Sequence, residues 1–153
     1  MRNAVGGARI RAHDIIRRLL VSAASDSTDP GLRGTTVEIL AGVPPCDETR
    51  AVLIQALSSD PNDGIRLRAL EALRPMAHQG DVRRAISHAL LSDKNAGVRT
   101  KAIELLTDHE TDVTRETEII GVFQDLLRKE PSQYIRLRAE RQLQQVKAST
   151  EVY

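Results

Sequence analysis

The sequence predicts an all-α fold, a stack of about four helix pairs, and three observations carry that expectation. An arginine returns almost on schedule at Arg33, Arg66, Arg99 and Arg136, with intervals of 66−33=33, 99−66=33 and 136−99=37. Periods in this range mark a repeat array. The apolar pattern around each arginine also repeats in register. An aliphatic residue precedes it (Leu32, Ile65, Val98, Ile135), a small one follows by three (Thr36, Ala69, Ala102, Ala139), and a leucine follows by seven (Leu40, Leu73, Leu106, Leu143). Thirteen residues upstream lie Leu20, Leu53, Ile86 and Phe123, and nine upstream lie Ala24, Leu57, Leu90 and Leu127. These offsets fit two short amphipathic helices per unit. Composition is the third observation. Hydrophobic residues make up 41% of the 153 and aromatics only 2%, which suits close helix packing through small side chains.

The first helix of each pair is expected at about 8–24, 47–58, 80–92 and 115–129, and the second at about 30–42, 63–76, 96–107 and 133–147. The units are thus about 8–42, 47–76, 80–107 and 115–147, read as a single domain over 1–153. Each second helix starts at a residue that caps well, four before the arginine: Asp29, Asn62, Asn95 and Ser132. Such side chains accept a hydrogen bond from an otherwise orphaned helix N–H. Pro30 follows one cap at a position where a missing N–H costs nothing. Gly31, Gly64 and Gly97 lie inside three of the first turns, which suggests close approach of a neighbouring backbone. Pro44-Pro45 breaks the first unit from the second, and Arg74-Pro75-Met76 ends the second pair. The four extra residues of the last interval fall in an acidic loop around Asp108-His109-Glu110-Thr111-Asp112. Gly6-Gly7 reads as a frayed terminus.

The stretch Asp60-Pro61-Asn62-Asp63-Gly64-Ile65-Arg66-Leu67-Arg68-Ala69 resembles the inner turn and second helix of a HEAT repeat. Asp93-Lys94-Asn95-Ala96-Gly97-Val98-Arg99 repeats it, and Glu130-Pro131-Ser132-Gln133-Tyr134-Ile135-Arg136 is a looser copy. The resemblance covers roughly residues 8–147 and implies a right-handed α-solenoid of about four HEAT-type pairs. A narrower likeness is to the HEAT arrays of bacterial membrane-tethered anti-sigma-like proteins. Those also carry a zinc finger and a transmembrane helix, which this chain does not have, so that likeness describes at most a detached domain. The resemblance further implies a ladder of acids and arginines along the turns, here Asp60, Arg66, Asp93, Arg99, Glu130 and Arg136. Ser27 stands in the first unit, so Asp26 or Asp29 would have to substitute there. The resemblance places the second helices on a concave, partner-binding side, whose solvated positions are Thr35, Glu38, Arg68, Glu71, Lys101, Glu104, Arg138 and Arg141.

The residues themselves offer no catalytic constellation, metal set or cofactor motif. His13, His78, His88 and His109 are not paired at helical metal-ligand spacing. The His109-Glu110 pair is solitary, whereas HEAT-type iron hydroxylases use several such pairs. Phosphate-loop, nucleophile-elbow and dinucleotide signatures are missing. The one cysteine, Cys46, excludes an intrachain disulfide and reads as an incidental thiol. No run approaches the roughly 20 apolar residues of a membrane span, and arginines interrupt the start. A soluble, cytoplasmic chain is expected, with a domain cut from a membrane-anchored protein as the alternative.

Lys+Arg number 22 and Asp+Glu 21, a formal net charge of +1, so no long basic stripe invites duplex DNA. A non-catalytic protein–protein interaction or scaffold module is the leading reading. A nucleic-acid binder using Arg68, Lys101, Arg138 and Arg141, and a small HEAT-like enzyme or lyase, are the alternatives. Helix 8–24 carries more apolar side chains than one packed face requires, among them Ile10, Ile15, Ile16, Leu19 and Leu20. That excess predicts either a weak N-terminal dimer or the point where a longer parent was cut.

Overall fold

A computed structural model describes residues 3–108 and 113–150, with the side chains of 3–13, 16, 113–115 and 149–150 excepted. Among the described residues there are eight α-helices and no strand. They are α1 (Asn3–Asp26), α2 (Pro30–Ala41), α3 (Asp47–Ser59), α4 (Asp63–Ala72), α5 (Gly80–Ser92), α6 (Ala96–Thr107), α7 (Val113–Lys129) and α8 (Gln133–Thr150). The expected ends hold to within a few residues, with two differences. Helix α1 begins at Asn3 and runs through Gly6-Gly7, in place of the expected frayed terminus. Helix α4 stops at Ala72, and Arg74–Met76 forms a separate 3₁₀ turn. Pro75 is the cause, because it offers no N–H and its ring clashes with the carbonyl one turn back. Residues 109–112 of the expected acidic loop, His109 and Glu110 among them, lie outside the described residues.

The chain divides into two compact units, Met1–Leu73 and Arg74–Tyr153, where the sequence pattern suggested one array. In the first, α1 packs on α2 and α3, and α4 packs on both α2 and α3. In the second, α5 packs on α6 and α7, and α8 packs on both α6 and α7. Each is therefore two helix pairs stacked first helix on first and second on second.

The registered positions form the cores. The small residues Thr36, Ala69, Ala102 and Ala139 are all buried, as are Leu40, Leu73, Leu106 and Leu143. Leu53, Ile86 and Phe123 fill equivalent places on the first helices. Leu32 departs from the pattern. It is exposed, while Ile65, Val98 and Ile135 are buried. Ile65 lies beside Gly34 of the preceding second helix, with its Cγ1 3.6 Å from where a Gly34 Cβ would be. Leu32 is on the first of the described second helices, and no earlier one among the described residues lies against it. The position filled by the buried Val37, Leu70 and Ile103 becomes the exposed Glu140 on α8.

The caps explain the glycines. No described glycine has positive φ, so backbone conformation does not require them. Asn95 Oδ1 accepts the N–H groups of Gly97 and Val98 at 2.8 and 3.2 Å, and a Cβ on Gly97 would stand 2.9 Å from that oxygen. At Gly64 the distance to Asn62 Oδ1 would be 3.0 Å, and at Gly31 to Asp29 Oδ1 3.2 Å. The fourth cap is the shorter Ser132, whose Oγ accepts Ile135 N–H at 3.4 Å. Tyr134 occupies the glycine's place there.

Candidate functional site

The recurring arginines are held inside the turns. Each reaches back six residues to a carbonyl in its own turn: Arg33 Nη1 to Ser27 O at 2.9 Å, Arg66 to Asp60 at 3.0 Å, Arg99 to Asp93 at 2.9 Å, Arg136 to Glu130 at 2.7 Å. Arg33 and Arg99 also reach forward to the next turn's carboxylate. Arg33 Nε and Nη2 donate to the two oxygens of Asp60 at 2.8 and 3.1 Å. Arg99 Nε and Nη2 do the same to Glu130 at 2.8 and 2.9 Å. The forked guanidinium suits this bidentate geometry, which an ammonium cannot reproduce. Each acid also accepts the N–H of the cap residue two positions on: Asp60 from Asn62 at 2.9 Å, Asp93 from Asn95 at 2.8 Å, Glu130 from Ser132 at 2.9 Å.

In the first turn Ser27 itself does the acid's local work. Its carbonyl takes Arg33 and its hydroxyl accepts Asp29 N–H at 3.1 Å. Neither Asp26 nor Asp29 substitutes, which corrects the expectation. Asp26 takes the Ser22 hydroxyl and Asp29 caps α2. The six-residue spacing of acid and arginine thus marks a bond to the acid's carbonyl, while the carboxylates of Asp60 and Glu130 bind the arginine of the preceding turn.

Burial pushes the Asp60 and Glu130 carboxyls up, but their hydrogen bonds outweigh it. Arg33 and Asn62 N–H hold Asp60 below the usual carboxylate range, and Arg99 and Ser132 N–H do so for Glu130. A small cleft in each unit borders these pairs, one beside Gln55 and Ser59, the other beside Leu91 and Lys129. The buried side-chain polar atoms around both clefts are satisfied, for Arg138 Nε is the single unpaired one among the described residues.

The solvated positions of the second helices form two groups. In the first unit Arg68 Nε meets Glu38 Oε1 at 2.7 Å, and Thr35 and Glu71 are exposed nearby in sequence. Gly34 leaves the room for this, because a Cβ there would come 2.8 Å from Arg68 Nη1. In the second unit Glu104 is a hub. Its Oε1 accepts Lys101 Nζ and Arg74 Nη2, both at 2.9 Å, and its Oε2 lies 4.0 Å from Arg138 Nη2. Hydrogen bonds from Arg74 and then Lys101 hold the Glu104 carboxyl below its ordinary range. Arg74 also pairs with Asp108. The pattern missed Arg74 because it fell in a segment that read only as a helix end. Arg141 is exposed on α8.

Cys46 caps α3. Its half-buried Sγ lies 3.5 Å from Thr49 N and 3.2 Å from the Thr49 hydroxyl. Burial raises its pKa, but the Thr49 bonds and the Arg17 charge outweigh burial and leave it lowered. No cluster of three His, Cys, Asp or Glu able to hold a metal occurs among the described residues. No described helix is long and apolar enough to cross a membrane.

Paired helices, capped inner turns and arginines bonded from turn to turn define a helical-repeat protein. The family model for HEAT repeats matches residues 16–107 and again 50–144, and the chain belongs to that family. No curated protein and no solved structure matches it, and the narrower likeness to bacterial anti-sigma-like proteins gains no support.

Proposed function

We propose that this chain is a non-catalytic protein–protein interaction module that binds through exposed second-helix faces, those of α2 and α4 in the first unit and those of α6 and α8 in the second. One observation carries the reading. The recurring arginines engage their own turns, leaving each unit with accessible second-helix positions of mixed charge, accompanied by exposed Leu67 in the first unit and by Tyr134 and Leu137 in the second. Mixed polar surface with apolar anchors is what protein interfaces use. The interleaving of Glu38, Glu71 and Glu104 with Arg68, Lys101 and Arg138 weighs against a phosphate backbone as the ligand. A weak dimer through α1 belongs to the same reading, because Ile15 and Leu19 are exposed one turn apart on that helix.

The test uses a partner captured from native extract and quantified against purified chain. Arg68→Glu with Lys101→Glu should weaken it about tenfold, the scale of lost charge complementarity at an interface, with unchanged far-UV circular dichroism. Unchanged affinity would move the site to the first helices or the loops. Retention of the chain on DNA at low salt, abolished by the same pair, would favour the nucleic-acid reading instead.

A further inference from the structure

The second unit carries a strip that the proposed interaction role does not by itself specify. Tyr134, Leu137, Arg138 and Arg141 recur at i, i+3, i+4 and i+7 of α8 and so share one helix face. Tyr134 is 61% exposed and Leu137 56%, a large apolar presence for a solvated surface. Tyr134 stands where the other three units have glycine. It is tolerated there because Ser132 caps α8 with a shorter side chain.

Three cations, Arg74, Lys101 and Arg138, converge on the one carboxylate of Glu104, and Arg141 is exposed on α8 three residues beyond Arg138. Glu104 is drawn towards Arg74 and Lys101, both at 2.9 Å, so Arg138 is left 4.0 Å from its second oxygen. Among the described residues Arg138 Nε is buried without an acceptor, and Nη1 meets the Tyr134 phenol at 3.3 Å. A guanidinium held this loosely gains from a carboxylate supplied from outside, since charge-assisted fork geometry is the strongest hydrogen bonding available to it.

We propose that this strip docks an acidic peptide segment bearing an aliphatic residue. Its carboxylates meet Arg138 and Arg141, and its aliphatic side chain covers Leu137 and the Tyr134 ring. Charge complementarity argues for an acidic occupant, and the apolar pair argues for a peptide. A nucleic-acid strand would bring phosphates past Glu104 and Asp108 and would find one aromatic where successive bases need several. The proposal rests on the interaction-module reading and narrows it to one partner chemistry.

The experiment is fluorescence anisotropy of the full chain with a short labelled peptide of Asp, Glu and Leu. Arg138→Glu and, separately, Leu137→Ser should each weaken binding about tenfold. Replacing the probe's leucines by serine should do the same, and circular dichroism should be unchanged. Absence of binding would overturn the proposal, as would binding indifferent to Leu137→Ser. An oligothymidylate bound equally well and lost with Arg138→Glu would overturn it in favour of a nucleic acid. Should the peptide fail while the captured natural partner still depends on Arg68 and Lys101, this inference falls and the interaction reading stands.

Discussion

Gly97 is explained by its neighbour two residues back. A methyl group there would sit 2.9 Å from Asn95 Oδ1, so Gly97→Ala must displace a cap worth about 1 kcal/mol. The same change removes a helix glycine, a gain of about 0.5–1 kcal/mol. The two nearly cancel, and Gly97→Ala alone should leave the urea midpoint almost unmoved. With Asn95→Ser in place, as Ser132 permits Tyr134, the gain should emerge undiminished. A double-mutant cycle with no coupling between 95 and 97 would remove this account of the glycines. Arg99 matters more to stability. Its side chain and that of Glu130 are 12% and 2% exposed, and Arg99→Ala leaves a buried carboxylate without its charged donor. The expected loss is about 1–3 kcal/mol. For comparison Arg83 would be a poor choice, because it bonds Glu118 and the His78 carbonyl. The exposed Arg128 serves better, and Arg128→Ala should stay within about 0.5 kcal/mol. Coincident midpoints for the two variants would mean that the Arg99 pair adds nothing to stability.

At the scale of the helix pair, the turn network makes stability depend on acid. Asp60 and Glu130 are held below the ordinary carboxylate range by their arginines and cap N–H groups. Each therefore binds fewer protons folded than unfolded. Their stabilisation is complete above the unfolded carboxylate pKa of about 4, and fades as pH falls through it towards the lower folded value. Urea midpoints should fall between pH 6 and pH 3, and Glu130→Gln should flatten that dependence while lowering the midpoint at pH 6. An equal slope in the variant would place the acid sensitivity elsewhere. The helix starts in these pairs were legible because a cap residue is a local signal, read within four positions of the chain. The destination of each carboxylate was not. Arg33 reaches Asp60 and Arg99 reaches Glu130 across 27 and 31 residues, and a short acid–arginine spacing carries no information about such a bond. Arg74 at the Glu104 hub was hidden for the same reason, 30 residues from its partner. The exposed turn of Tyr134 was visible as a broken glycine pattern, but its meaning needed the geometry of Ser132.

For the molecule as a whole, the two ends of the repeat series treat solvent differently. On α8 the buried aliphatic of the other second helices is replaced by Glu140, and Gln144 and Lys147 are exposed beyond it. On α1, Ile15 and Leu19 stand 58% and 66% exposed one turn apart. Stacked repeats without a polar outer face associate through it, and two aliphatic side chains of this exposure are each worth about 1.5–3 kcal/mol when fully covered. Two such side chains from each of two copies leave only a modest net gain, since association itself costs at least about 4 kcal/mol of lost freedom. The consequence is a weak dimer rather than an obligate one. Sedimentation velocity over a concentration series should show a reversible increase in mean mass, abolished by Ile15→Glu with circular dichroism and urea midpoint preserved. Arg18, exposed on the same helix, should matter little by comparison, so Arg18→Ala should leave the association in place. A monomer at every concentration would show that Ile15 and Leu19 are tolerated surface aliphatics and that self-association is no part of this protein's behaviour.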